Sequence, residues 1–297
     1  MKKRASGNKF LKSLLLLCVV SICMGAGFIV WDIYKPKTAA LVRVPHIVWP
    51  DSDRNEGKPF TTGFDGIDIS AHQGRIRWDS LEKAKPWLHI IYVRARGRKV
   101  QDSLYGYNMK QAHSRGFKVG SYHFFNMNFP VEEQYRMFTR MTDHEHQDLR
   151  PVIDVEQLSL ADEGNEHLKD SVMRFARLLE KHFGCRPVIY SNQNFYRKYL
   201  WPEFNRYPLW IANYSRVPVV KDTRPVLWQR GDTGHVHGIW TYVDIDQFIN
   251  GGSIDDLLMP DYARRNIHIN LTPDYFRPKS AGISPQAEVS HLMIGLE

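Results

Sequence analysis

Two carboxylates spaced two residues apart, Asp154 and Glu156, close an apolar run that reads Arg-Pro-Val-Ile-Asp-Val over 150–155. On an extended chain, residues i and i+2 share one face and lie about 6.6 Å apart along it. Acids that close can hold different protonation states, one as carboxylate and one as acid. Cleavage of a glycosidic bond needs that division of labour, a proton for the leaving oxygen and a carboxylate to assist attack. Asp68 and Asp244 lie in two other apolar runs, at 65–69 and 242–248. Burying an unpaired carboxylate is expensive, so acids in such runs call for a reason. Any one of them could cap a helix or pair with Arg94 or Arg150. The set of four is harder to dismiss.

The elements that would position these acids follow a regular rhythm. Short β-branched or aromatic runs occur at 65–69, 89–94, 117–124, 150–155, 186–190, 208–213, 225–229 and 242–248. Near-continuous apolar character of this kind suits strands buried on both faces, as in a parallel sheet. Helical spacing fills the intervals between the first six. Over 103–115, Leu104, Met109 and Ala112 can face inward and Gly116 ends the helix. Over 166–183, Leu168, Val172, Phe175, Ala176 and Leu179 recur every three to four residues before Gly184. The last three strands are joined by links too short for full helices. The expected fold is α/β, a TIM-barrel-like barrel of about five βα units followed by three strands, occupying 63–258. Barrels of this kind gather their active sites at the C-terminal ends of the strands, where the four acids fall.

The chain has 297 residues and a formal net charge of +8. Lys2, Lys3, Arg4, Lys9 and Lys12 carry five of those charges ahead of an uncharged stretch, Leu14 to Trp31. The small remainder gives no ground for expecting nucleic-acid binding. The uncharged stretch is long enough for a marginal membrane span and lacks a small-x-small cleavage site. The expectation is an uncleaved single-pass anchor over 1–34, with the basic side cytoplasmic and the remainder exported to the periplasm or beyond. Residues 35–62 contain prolines without periodicity and read as a linker. The tail, 259–297, has no assignable role. Cys18 and Cys23 lie in the apolar stretch, which leaves Cys185 as a lone buried thiol, and no Cys/His spacing points to a metal.

The order of short motifs resembles glycoside hydrolase family 25, the lysozymes of the Chalaropsis type. Gly66-Ile67-Asp68-Ile69-Ser70, then Gln73-Gly74 and Ile76-x-Trp78, is similar to the family's opening motif. Asn108, Ala112, Gly116 and Gly120 before Tyr122-His123-Phe124 resemble its next block. Pro151 to Glu156 resembles its catalytic strand. Tyr190-Ser191-Asn192, Leu209-Trp210-Ile211-Ala212-x-Tyr214, Leu227-Trp228-Gln229 and Val243-Asp244 follow in the family's order. The resemblance covers roughly 64–250 and implies hydrolysis of the β-1,4 bond between N-acetylmuramic acid and N-acetylglucosamine in bacterial peptidoglycan. It implies Glu156 as proton donor, with Asp154 as its partner on the acetamido group or the attacking water. Asp68 and Asp244 would complete an acidic floor. Tyr122, Tyr190, Trp210, Tyr214, Trp228 and Gln229 would contact sugar, with no cofactor, no metal and a monomeric enzyme.

One departure stands out. Where the family reads like Lys-Ala-Thr-Glu-Gly after the second strand, this chain has Arg94-Ala95-Arg96-Gly97-Arg98. The added charge either meets a carboxylate of the lactyl group or peptide stem, or belongs to a solvated loop. Two other functions compete with the muramidase. One is a catalytically silent, glycan-binding adaptor on the same barrel. The other is a chitinase-like N-acetyl-hexosaminidase, whose D-x-x-D-x-D-x-E run is absent before Glu156.

Overall fold

The computed structural model describes residues 57–97, 100–161 and 165–261. Leu14–Trp31, the basic cluster before it, most of the 35–62 linker, Arg98 and the tail beyond 261 lie outside the described residues. No helix among the described residues is long and apolar enough to cross a membrane.

Eight strands close into a barrel in chain order: β1 (Gly66–Ile69), β2 (Ile90–Arg96), β3 (Lys118–Phe124), β4 (Val152–Asp154), β5 (Val188–Asn192), β6 (Leu209–Ala212), β7 (Leu227–Gly234) and β8 (Val243–Phe248). β1 through β7 pair in parallel. β8 is antiparallel to both β7 and β1. Alternation along a strand reports which faces are buried and says nothing about direction, so the apolar pattern alone could not distinguish this last strand.

Helices fill the intervals between the first six strands, as the spacing predicts: α1 (Trp78–Leu81), α2 (Tyr105–Ser114), α3 (Val131–Met141), α4 (Leu168–Phe183) and the short α5 (Gln193–Phe195). One more short helix, α6 (Ile254–Leu257), follows β8. The stop at Gly184 has a backbone cause: φ is 68°, a left-handed conformation that glycine adopts without a Cβ penalty.

Side-chain alternation divides the core into two clusters. Outward residues such as Ile67, Val93, Val119, Ile153, Ile189 and Ile211 pack against the helices. Inward residues Ile90, Tyr92, Val152, Val188, Trp210 and Leu227 fill the barrel from its base. Gly120 is required by this interior: a Cβ there would lie 2.4 Å from Cε1 of Tyr92 and 2.8 Å from Cβ of Leu149. Apolar filling stops about halfway up, and the upper interior is polar.

The domain's contacts extend slightly past both ends of the 63–258 range. The Thr61 amide donates to the His235 carbonyl at 2.8 Å, and Phe60 stacks on the rings of His235 and His237. Met259 is buried, with its amide on the Asp148 carbonyl.

Candidate active site

The acids Asp68, Asp154 and Asp244, with Glu156 just past the end of β4, sit at the polar mouth, and the structure adds a fifth, Asp246. Asp68 and Asp244 face each other directly across the antiparallel β1–β8 pair. Asp246 is two residues further along β8, opposite Gly66 and fully buried. The close approach of β8 demands that glycine, since a Cβ on Gly66 would come within 3.3 Å of Asp246 Cβ and 2.6 Å of Ile90 Cγ1. Asp154 pairs in register with Phe124 on one side and Tyr190 on the other. Glu156 begins the short turn Gln157–Ser159, where its amide donates to Ser159 Oγ at 3.0 Å. Asp154 is nearly buried, whereas Glu156 is only half-buried and reaches the rim.

A relay of neutral donors holds the first of these acids. Gln229 Nε2 donates to Asp68 Oδ2 at 2.9 Å. The Gln229 carbonyl oxygen accepts from the hydroxyls of Tyr190 at 2.7 Å and Tyr214 at 2.9 Å. Those two bonds fix the amide so that its N–H must point at Asp68.

Burial pushes all five carboxyls up, and repulsion from neighbouring acids adds to it for all but Glu156. For Asp68 burial comes first, then the charges of Asp244 and Asp246, with the Gln229 bond opposing. Asp154 is raised by burial and by Glu156, against the pull of Arg94. Burial raises Glu156 as well. Asp244 is pushed up to about 6 by burial and by Asp232. Asp246 is raised by burial and then by Asp244, against the hydrogen bond from Trp210. Like charges gathered in one buried mouth oppose one another's ionisation, so these carboxyls keep their protons to higher pH than free carboxylates do. A cluster of raised carboxyls at a barrel mouth is a candidate for acid–base chemistry.

Arg94 is the basic residue set among these acids, and it is committed elsewhere. Its Nε and Nη2 donate to Asp102 Oδ2 at 3.2 and 3.0 Å. Asp102 also accepts from the amides of Ala71 and Leu104, so it locks the loops after β1 and β2 together. Arg96 is buried beyond a bulge in β2. The basic stretch is therefore not the solvated loop that was one of its two readings, at least through residue 96.

The aromatic candidates separate. Tyr122 and Tyr190 project into the mouth, and Tyr214 is 53% exposed beside it. Trp210 does not offer a face to sugar. It is 2% exposed, stacked on Tyr92 with centroids 5.2 Å apart, and its Nε1 donates to Asp246 Oδ1 at 2.9 Å. Trp228 lies between the inward residues Leu227 and Gln229, so alternation sends it to the outer face, where Nε1 bonds the Asn213 carbonyl. Both tryptophans are supports and not ring platforms. The sequence reading passed over Asp246, although the period-two spacing Asp244-Ile-Asp246 repeats the signal that singled out Asp154 and Glu156.

Comparison with known proteins agrees with this geometry. Residues 67–239 match the profile of Glycosyl hydrolases family 25. The chain belongs to that family. It is a glycoside hydrolase. Among relatives of the family, YegX of Escherichia coli strain K12 is 31% identical over 204 residues, covering 67% of this chain and 74% of YegX. A protein named autolytic lysozyme from Clostridium acetobutylicum is 30% identical over 187 residues, covering 63% of this chain and 56% of its own length. A solved family 25 glycosyl hydrolase from Bacillus anthracis superposes with a TM-score of 0.58 at 27% identity, covering 66% of this chain and 93% of that one.

Proposed function

We propose that this family 25 barrel is a muramidase that hydrolyses the β-1,4 bond between N-acetylmuramic acid and N-acetylglucosamine in peptidoglycan. Glu156 protonates the leaving oxygen. Asp154, behind it on the same strand face, acts on the substrate's acetamido group or on the attacking water. The observation that carries this reading is the asymmetry of the pair: Glu156 reaches the rim and Asp154 is nearly buried beneath it. An acid at the rim can meet a glycosidic oxygen, and its raised pKa keeps the proton available. Asp68 and Asp244 complete the negative floor that favours developing positive charge on the sugar. Tyr122, Tyr190 and Tyr214 are the side chains placed to contact sugar rings, with Gln229 ordering two of them.

The proposal includes the uncleaved anchor at Leu14–Trp31, which would hold the enzyme at the bacterial cell membrane with the barrel exported, as a monomer.

Incubation of the protein with purified peptidoglycan, followed by identification of the new reducing ends, tests the activity. N-acetylmuramic acid ends are expected. Glu156→Gln keeps the shape and loses the proton, so turnover should fall by about 10²–10⁴-fold with glycan binding retained. Glycan binding by the wild type without new reducing ends would replace the enzyme with a silent adaptor.

A further inference from the structure

At the barrel end opposite the carboxylates, arginines precede four consecutive strands: Arg150 before β4, Arg186 before β5, Arg206 before β6 and Arg224 before β7. All four line one cavity of about 370 Å³. Two of them have structural work. Arg150 donates from Nε to the Asp256 carbonyl at 3.1 Å and from Nη1 to the Arg186 carbonyl at 3.2 Å. Arg186 in turn donates from Nη1 to the Arg206 carbonyl at 2.9 Å and pairs with Glu180 at 3.4 Å. These bonds tie the starts of adjacent strands together, and they account for both side chains.

Arg206 and Arg224 are not accounted for. Both are exposed, and neither guanidinium has a hydrogen bond or ion pair with a described residue. The lining holds one acid, Asp256, whose carboxylate already accepts from the Ser253 amide at 2.9 Å. With Glu180 set against Arg186 and Asp256 against one more charge, the cavity keeps a positive excess, carried by Arg206 and Arg224. Asn205 and Thr223 add neutral polar groups to the same wall. A guanidinium presents a planar fork of donors that matches oxyanions. Forks arriving from different strands suit an anion with oxygens on several sides, as phosphate has, better than the single edge of a carboxylate.

We propose that this basal cavity is a second, non-catalytic site that binds a phosphate group through Arg206 and Arg224. A phosphate of this kind can come from the free ion or from the phosphodiester of a lipid headgroup or anionic polymer. Because the site lies at the far end of the barrel, its occupancy is separable from hydrolysis at Glu156.

Calorimetric titration of the full-length protein, in phosphate-free buffer with non-ionic detergent, tests the assignment. Three probes are used: inorganic phosphate, glycerophosphoglycerol and acetate. Saturable binding of inorganic phosphate, in about the millimolar range, is expected, with acetate much weaker. Saturation by glycerophosphoglycerol as well assigns the site to phosphodiesters, and its failure assigns it to the free ion or a monoester. The double variant Arg206→Gln/Arg224→Gln should weaken phosphate at least about tenfold, the loss expected for one charged hydrogen bond, while cleaving peptidoglycan as the wild type does. The proposal is overturned if neither phosphate compound saturates, if acetate binds as tightly, or if the double variant binds phosphate unchanged. Loss of hydrolysis in the wild type would speak against the muramidase and leave the phosphate result standing.

Discussion

At the scale of single residues, the question is which carboxyl does what. Asp154 lies below Glu156, where it can act on charge that develops during reaction more than on bound substrate. Asp154→Asn should therefore cut single-turnover rates sharply with little change in glycan affinity, as measured by rapid quench alongside a binding titration. A large loss of affinity with normal chemistry would make Asp154 a clamp. Asp246 carries a pH prediction. Its carboxyl is raised in the fold, so the folded state holds a proton that the unfolded chain releases above about pH 4. That contribution is complete below about pH 4 and is lost as pH climbs towards the folded value. Asp246→Asn, a neutral near-isostere that can still accept from Trp210, should match the wild type near pH 4. At pH 8 it should be more stable by at least about 1 kcal/mol in denaturant unfolding. The comparison between the two proteins is needed because buried His123 and half-buried His182, held down to about 4, act in the opposite sense. The gathering of the four acids at one mouth was legible because charge within or beside an apolar run is conspicuous. Trp210 was misjudged because an aromatic two residues before a loop reads alike whether its ring fills the barrel or faces its mouth.

At the scale of elements, all eight strands were legible in place and order, since each contains a short apolar run, but β7 continues to Gly234, five residues past the expected 225–229, because its last residues, Arg230 to Gly234, are not apolar. What could not be read were the ties between elements. Asp102, in an unremarkable stretch, accepts from Ala71, Arg94 and Leu104 and so joins the loop after β1, β2 itself and the start of α2. Contacts between residues 31 positions apart leave no trace in local periodicity. Removing this side chain strands a largely buried arginine. Asp102→Ala should cost about 3–5 kcal/mol in chemical denaturation. It should also free Arg94 to approach Asp154, lowering the pKa of that acid and shifting the acid limb of the pH–rate profile downward. A variant of wild-type stability would show that the clamp is redundant.

At the scale of the whole molecule, the sequence expectation of an anchor can be tested directly. Protein recovered from membranes should retain its original N-terminus through Leu14–Trp31, as read by N-terminal sequencing. A soluble mature chain beginning between residues 25 and 40 would make the enzyme secreted. The barrel has two chemically opposed ends, carboxylates at the mouth and arginines at the base. The reversed direction of β8 decides which of them the chain leaves by. Phe248 ends that strand opposite Leu227, the first residue of β7, and the backbone then passes Leu149 before reaching Asp261. A parallel eighth strand would have delivered the polypeptide among the carboxylates of the mouth. As built, the described chain comes to Asp261 by way of the arginine-bearing base, on the side away from the carboxylates.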